Sequence, residues 1–133
     1  MKNGIAERSR SILLLHDLQA TREAIERLLN KDGYRVYGAS DEASAIDRAQ
    51  CHCPDLIIVS LGGLLQRSIS EAQSIRKKAG LDVRTPIVVL SSSSVIEGAE
   101  LHIGDSVCVT LPDDFNQFRA LLARLLARTA AAG

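Results

Sequence analysis

The stretch Ser11-Ile-Leu-Leu-Leu15 is apolar from its second residue onward and too short for a helix, so it reads as a strand buried on both faces. His16 and Asp17 follow it directly. Three further runs have the same character: Leu56-Ile-Ile-Val59, Ile87-Val-Val-Leu90 and Val107-Cys-Val109. Tyr34-Arg-Val-Tyr37 instead alternates, as an edge strand does.

Amphipathic stretches separate these runs. After the first strand, Leu18, Ile25, Leu28 and Leu29 fall on one predicted helical face, and Gly33 suits the left-handed position that ends a helix. A second helix is predicted from Asp41 to Gln50, with Ser40 or Asp41 as its N-cap, and Pro54 stops helical structure before the third strand. A third helix is predicted at Ser68–Lys78 and a short, weakly patterned fourth at Val95–Leu101. The last helix has the best start signal, Asp114 with Gln117 three residues later. Phe115, Phe118, Leu121, Leu122, Leu125 and Leu126 form its apolar stripe.

Five β–α units in succession, with wholly apolar strands, imply an α/β fold with a parallel sheet covered by helices on both faces. Five units suit the flavodoxin-like doubly wound strand order 2-1-3-4-5. In such folds the functional site lies at the carboxyl ends of the strands, here His16, Asp17, Ser60, Ser91 and Leu111.

The 133 residues make one domain, expected at residues 11–128, with residues 1–10 a flexible leader and residues 129–133 a tail or the start of a linker. The 16 basic and 16 acidic residues balance, so the bulk charge points to neither nucleic acid nor an anionic membrane. No apolar run approaches the roughly 18 residues that span a bilayer. Three cysteines, Cys51, Cys53 and Cys108, without a secretion signal read as reduced thiols in a cytoplasmic protein.

Ile12-Leu-Leu-Leu-His-Asp-Leu-Gln-Ala-Thr-Arg22 followed by Leu28-Leu-Asn-Lys-Asp-Gly-Tyr-Arg-Val36 resembles the opening of response-regulator receiver domains of the chemotaxis type. Pro54-Asp-Leu-Ile-Ile-Val59, Thr85-Pro-Ile-Val-Val-Leu-Ser91 and the proline after strand five are similar to that family too. The resemblance implies a two-component phosphorelay module. Its working site has an acid pair for Mg²⁺, a phosphoacceptor Asp after strand three, a hydroxyl after strand four, a Lys after strand five and an aromatic within strand five. In this chain the acid pair is His16-Asp17, the phosphoacceptor position is Ser60, the hydroxyl position is kept at Ser91, the Lys position is Leu111 and the aromatic position is Cys108.

The departures matter chemically. A serine hydroxyl is a poor nucleophile without a base to activate it. Asp17, with His16 in place of the first acid, is the residual metal position, weak for a hard cation that wants several oxygens. Without the Lys, no fixed cation meets a phosphate. The chain therefore reads as a pseudo-receiver with no catalytic residue and no required cofactor, Mg²⁺ binding at most weakly. It is expected to signal by protein–protein contact, with a signalling partner or a second copy of itself docked on the family's face of helix four, strand five and helix five. Neither nucleic acid nor membrane is expected as a partner.

Two other functions fit the same residues. Ser60, His16 and Asp17 could form a hydrolase triad, with Gly62 and Gly63 as oxyanion donors, although no Gly-x-Ser-x-Gly elbow surrounds Ser60. A small-ligand sensor could use the vacated pocket under Ser60, Ser91 and Leu111. Cys51-His-Cys53 offers soft metal ligands but lacks a second cluster, and reads better as a turn with free thiols. Gly62-Gly63 lacks a phosphate-loop or flavin pattern. Leu64-Leu65 either marks a contact surface or folds back over the emptied pocket. His102 reads as a lone surface residue, Cys108 as a small core hydrophobe and Ser91–Ser94 as a polar turn.

Overall fold

A computed structural model describes residues 10–61, 64–91, 98–112 and 114–132, the last four of these by their backbone only. The apolar runs form β1 (Ser11–His16), β3 (Leu56–Ser60), β4 (Ile87–Leu90) and β6 (Val107–Thr110). With the alternating β2 (Arg35–Ala39) and the short β5 (Glu100–His102) they make a six-stranded sheet ordered β2-β1-β3-β4-β6-β5. The first five strands of that order are parallel, so the predicted order 2-1-3-4-5 stands for them. β5 is an antiparallel addition at the edge.

The helices are α1 (Gln19–Lys31), α2 (Glu42–His52), α3 (Leu65–Lys78) and α4 (Phe115–Ala132). The sheet's side chains alternate between two cores. Leu13, Leu15, Ile57, Val59, Ile87, Val89 and Val109 pack with Ala45, Ala49, Ala72 and Ile75 of α2 and α3. Ile12, Leu14, Leu56, Ile58, Val88 and Cys108 pack with Leu29 of α1 and with Phe118, Leu121, Leu122, Leu125 and Leu126 of α4. The interior strands are buried on both faces because a helix layer covers each face of the sheet.

Two expectations require correction. The helix predicted at Val95–Leu101 is not what its described portion forms: Glu100–His102 is a strand, while residues 92–97 lie outside the described residues. Its weak helical pattern yields to strand pairing, in which the Thr110 hydroxyl donates to the Ala99 carbonyl at 2.7 Å and Leu101 pairs with Val109. The sheet consequently has six strands rather than five. The apolar stripe of the first helix is also narrower than predicted. Leu29 is buried and Ile25 packs against the core, but Leu28 is exposed, and Leu18 precedes the helix with 61 % of its surface free.

Asp41 caps α2, its carboxylate accepting the Ser44 N–H at 2.8 Å in a reciprocal capping box. Asp114 caps α4 by accepting the Gln117 N–H at 2.8 Å, while the Gln117 side chain donates to the Gly98 carbonyl at 3.0 Å. α4 continues to Ala132, into the stretch predicted as a tail. The predicted leader, up to residue 9, lies outside the described residues.

Candidate functional site

β1 and β3 lie side by side in a register that pairs Leu15 with Val59 and His16 with Ser60. β4 and β6 pair Leu90 with Thr110, and the Ser91 N–H donates to the Thr110 carbonyl at 3.1 Å. His16, Ser60, Ser91 and Leu111 therefore stand at the carboxyl ends of four successive parallel strands. Ser60, Ser91 and Leu111 are half-buried, and Asp17 is exposed.

The His16 ring is buried, and its Nδ1 accepts the backbone N–H of Leu18 at 3.1 Å. Leu18 stands at the N-cap of α1, where no side chain of its own can accept a helix donor, so the imidazole takes one of the unmet N–H groups. A backbone N–H can only donate, which assigns the neutral tautomer with the proton on Nε2. Asp17 Oδ1 lies 3.5 Å from the same Nδ1 and would pair with it only if the ring were charged. Burial opposes that charge and lowers the His16 pKa below its ordinary value. Asp17 raises it and Arg22 lowers it further. The Arg22 guanidinium also donates to the His16 carbonyl at 2.7 Å. Gly38 of β2 makes room for this corner, because a Cβ there would collide with the Glu26 carboxylate and come within 3.1 Å of Arg22 Cδ.

This tautomer bears on the triad geometry. A base for Ser60 needs a free nitrogen lone pair, yet here Nδ1 is committed to Leu18 and Nε2 carries the proton. Gly62 and Gly63 lie outside the described residues.

Asp17 borders a cleft of about 300 Å³ with Ser40, Asp41, Glu42, Leu61, Arg67, Ser68 and Glu71. Several of its acids are already engaged. Asp41 caps α2, and the Ser44 N–H it accepts holds its carboxyl below the usual carboxylate range. Glu42 accepts the Ser74 hydroxyl at 2.8 Å and pairs with Lys78 at 3.7 Å. Mg²⁺ asks for six oxygens in a near-octahedral arrangement, and the strand ends offer the Asp17 carboxylate and the Ser60 hydroxyl beside an imidazole whose Nδ1 is taken. That set is a poor fit.

The Cys51-His52-Cys53 segment lies at the end of α2, where Cys53 takes a left-handed conformation with φ 47°. The His52 ring stacks on Tyr37 with centroids 3.8 Å apart. Leu64 is 76 % exposed, and Leu65 packs against the core between the sheet and α2 and α3.

A group of ligand-bearing side chains escaped the sequence reading. The β5–β6 pairing sets His102 opposite Cys108, with Nε2 4.0 Å from Sγ. Glu100 Oε1 lies 3.3 Å from the same Nε2, and Arg124 holds Glu100 Oε2 at 2.6 Å. Burial, with the Glu100 charge adding to it, pushes the Cys108 thiol up to about 11. The available signal was the Glu100-Leu-His102 alternation, which places two polar side chains on one face of a strand but on different faces of a helix.

No family model matches the chain. Among curated proteins it is 30 % identical over 86 residues to the cell cycle transcriptional regulator CtrA of Caulobacter vibrioides, covering 65 % of this chain and 36 % of that protein. It is 31 % identical over 86 residues to the transcriptional regulatory protein PdtaR of Mycobacterium tuberculosis, covering 64 % and 40 %. The chain thus spans well under half the length of these relatives. Among solved structures, the receiver domain of the hybrid histidine kinase CckA superposes with a TM-score of 0.60 at 25 % identity, over 87 % of this chain and 98 % of that one. A response regulator receiver domain protein from Clostridium thermocellum gives 0.71 at 15 % identity, over 93 % and 99 %. The chain has the fold of the response-regulator receiver domains, and the curated proteins it resembles in sequence are themselves regulators.

Proposed function

We propose that the chain is a phosphorylation-independent receiver module of two-component signalling that acts by binding another protein, with no catalytic step of its own. The observation that carries this reading is the composition of the four strand ends. In this reading Ser60 takes the phosphoacceptor position, opposite a buried His16 whose Nδ1 is committed to the backbone, and Leu111 takes the place of the phosphate-gripping cation. None of the three can be the nucleophile, metal ligand or cation that acyl-phosphate chemistry requires.

The partner face in this reading is the one expected from the sequence, α4 with β6 and the segment before it, whose described part is the strand β5. Among the described residues β5 is the last strand of the sheet, and Leu101 and Ile103 beside it present 45 % and 44 % of their surfaces. Exposed apolar side chains beside the last described strand of the sheet favour burial against a second copy or a partner. Incubation with acetyl phosphate and Mg²⁺ tests the first half of the reading: the intact mass should stay unchanged, and a stoichiometric phosphate adduct overturns it. Sedimentation of wild type and Leu101→Glu/Ile103→Glu tests the second half for self-association. A dimer weakened by the charges supports it, whereas a dimer that ignores them puts the interface elsewhere.

A further inference from the structure

We propose that Glu100, His102 and Cys108 form a three-ligand site for Zn²⁺ at the β5–β6 edge, with water as the fourth ligand. A carboxylate oxygen of Glu100, a ring nitrogen of His102 and the Cys108 Sγ all lie within 4.8 Å of one another. Tetrahedral zinc with bonds of about 2.0–2.3 Å sets oxygen and nitrogen ligands about 3.3 Å apart and a sulfur about 3.6 Å from either. The 3.3 Å from Glu100 to His102 matches the first, and the 4.0 Å from His102 to Cys108 exceeds the second by a few tenths of an ångström, which small side-chain movements close.

Each ligand is placed by the backbone. Glu100 and His102 are two apart on β5 and share its α4-facing side, and the antiparallel register brings Cys108 directly across from His102. The Arg124 guanidinium holds Oε2 of Glu100 and leaves Oε1 turned to the imidazole, the kind of outer partner that orients a metal-binding carboxylate. A cavity of about 200 Å³ opens beside the group, lined by His102 and Cys108 together with Ser106, Arg84, Arg128 and Leu125. It gives an ion an approach and leaves room for the water. Sulfur, imidazole and a single carboxylate are a donor set for zinc rather than for Mg²⁺ or Ca²⁺. On binding, the Cys108 thiol proton passes to solvent. The resulting thiolate and the Glu100 carboxylate then cancel the charge of the ion, so the neighbouring arginines face a neutral centre.

Bound metal would tie the edge strand to β6 and, through Arg124, to α4. Co²⁺ titration of the metal-free full chain tests the site. One equivalent should produce a thiolate-to-cobalt charge-transfer band with the intense visible bands of tetrahedral Co²⁺, and Zn²⁺ should displace it and raise the unfolding temperature. Cys108→Ala should abolish the charge-transfer band and His102→Ala should weaken binding at least about 100-fold, while Arg124→Ala weakens it about 10-fold. His102 is exposed, so His102→Ala keeps the fold, as circular dichroism will report. The exposed thiols supply the control: Cys51→Ser/Cys53→Ser should leave the spectrum intact. Absence of the charge-transfer band in wild type overturns the proposal. So does a band that survives Cys108→Ala and disappears in the Cys51/Cys53 double variant.

Discussion

His16 is the register partner of Ser60 across β1 and β3, yet its Nδ1 is bound to the backbone N–H of Leu18. The imidazole therefore serves the start of α1, and its proton sits on Nε2. A residue at the mouth of the sheet has become part of the scaffold.

This has a consequence for acid stability. The folded state holds the His16 pKa below its value of about 6.5 in an unfolded chain, so the unfolded state binds more protons as the pH falls. The stabilisation is complete above that unfolded value and is lost on acidification through it towards the folded pKa. His16→Asn keeps an oxygen acceptor for Leu18 without a titrating group. Its melting temperature should change less than that of wild type between about pH 7.5 and about pH 5. An equally steep profile would place the acid sensitivity elsewhere.

The three thiols should separate by reactivity. Cys51 and Cys53 are exposed, whereas Cys108 is buried with a thiol pushed up to about 11. A disulfide reagent at neutral pH should label Cys51 and Cys53 rapidly in the native, metal-free chain and reach Cys108 only on denaturation. Rapid native labelling of Cys108 in Cys51→Ser/Cys53→Ser would contradict the burial.

Arg76 sits buried near the end of α3, where one guanidinium nitrogen donates to the carbonyls of Thr85 at 2.9 Å and Asp105 at 2.7 Å. It joins α3 to the loops that enter β4 and β6. Arg76→Met keeps much of the volume but strands both carbonyls, and should cost about 1–3 kcal/mol in urea unfolding. A neutral result would mean that water replaces the guanidinium.

Restoring one residue should not restore phosphorylation. In the proposed reading Ser60→Asp supplies a carboxylate but leaves His16 in place of an acid and Leu111 in place of a cation, so acetyl phosphate with Mg²⁺ should still give no adduct by intact mass. His16→Asp/Ser60→Asp/Leu111→Lys returns all three groups and should become labelled. Labelling of Ser60→Asp alone to the same extent would show that Asp17 and Ser91 suffice.

The layered architecture and the parallel strand order were legible in the sequence. Runs such as Leu56–Val59 are apolar at every position, which only a strand covered on both faces tolerates, and Asp41 and Asp114 mark helix starts by local hydrogen bonding. The positions of His16, Ser60, Ser91 and Leu111 at one end of the sheet follow from that order. Partnerships made across the chain were not legible. The Glu100-Leu-His102 segment has no strong period of its own, and it becomes a strand because Val107–Thr110 offers an open edge to pair with. That pairing alone brings His102 to Cys108, just as the approach of α1 to the end of β1 commits His16 to Leu18. Which segments are buried could be read along the chain, since burial is written into each segment's own apolar period. The tertiary structure decided what each polar side chain touches, because those distances depend on register and on residues far apart along the chain.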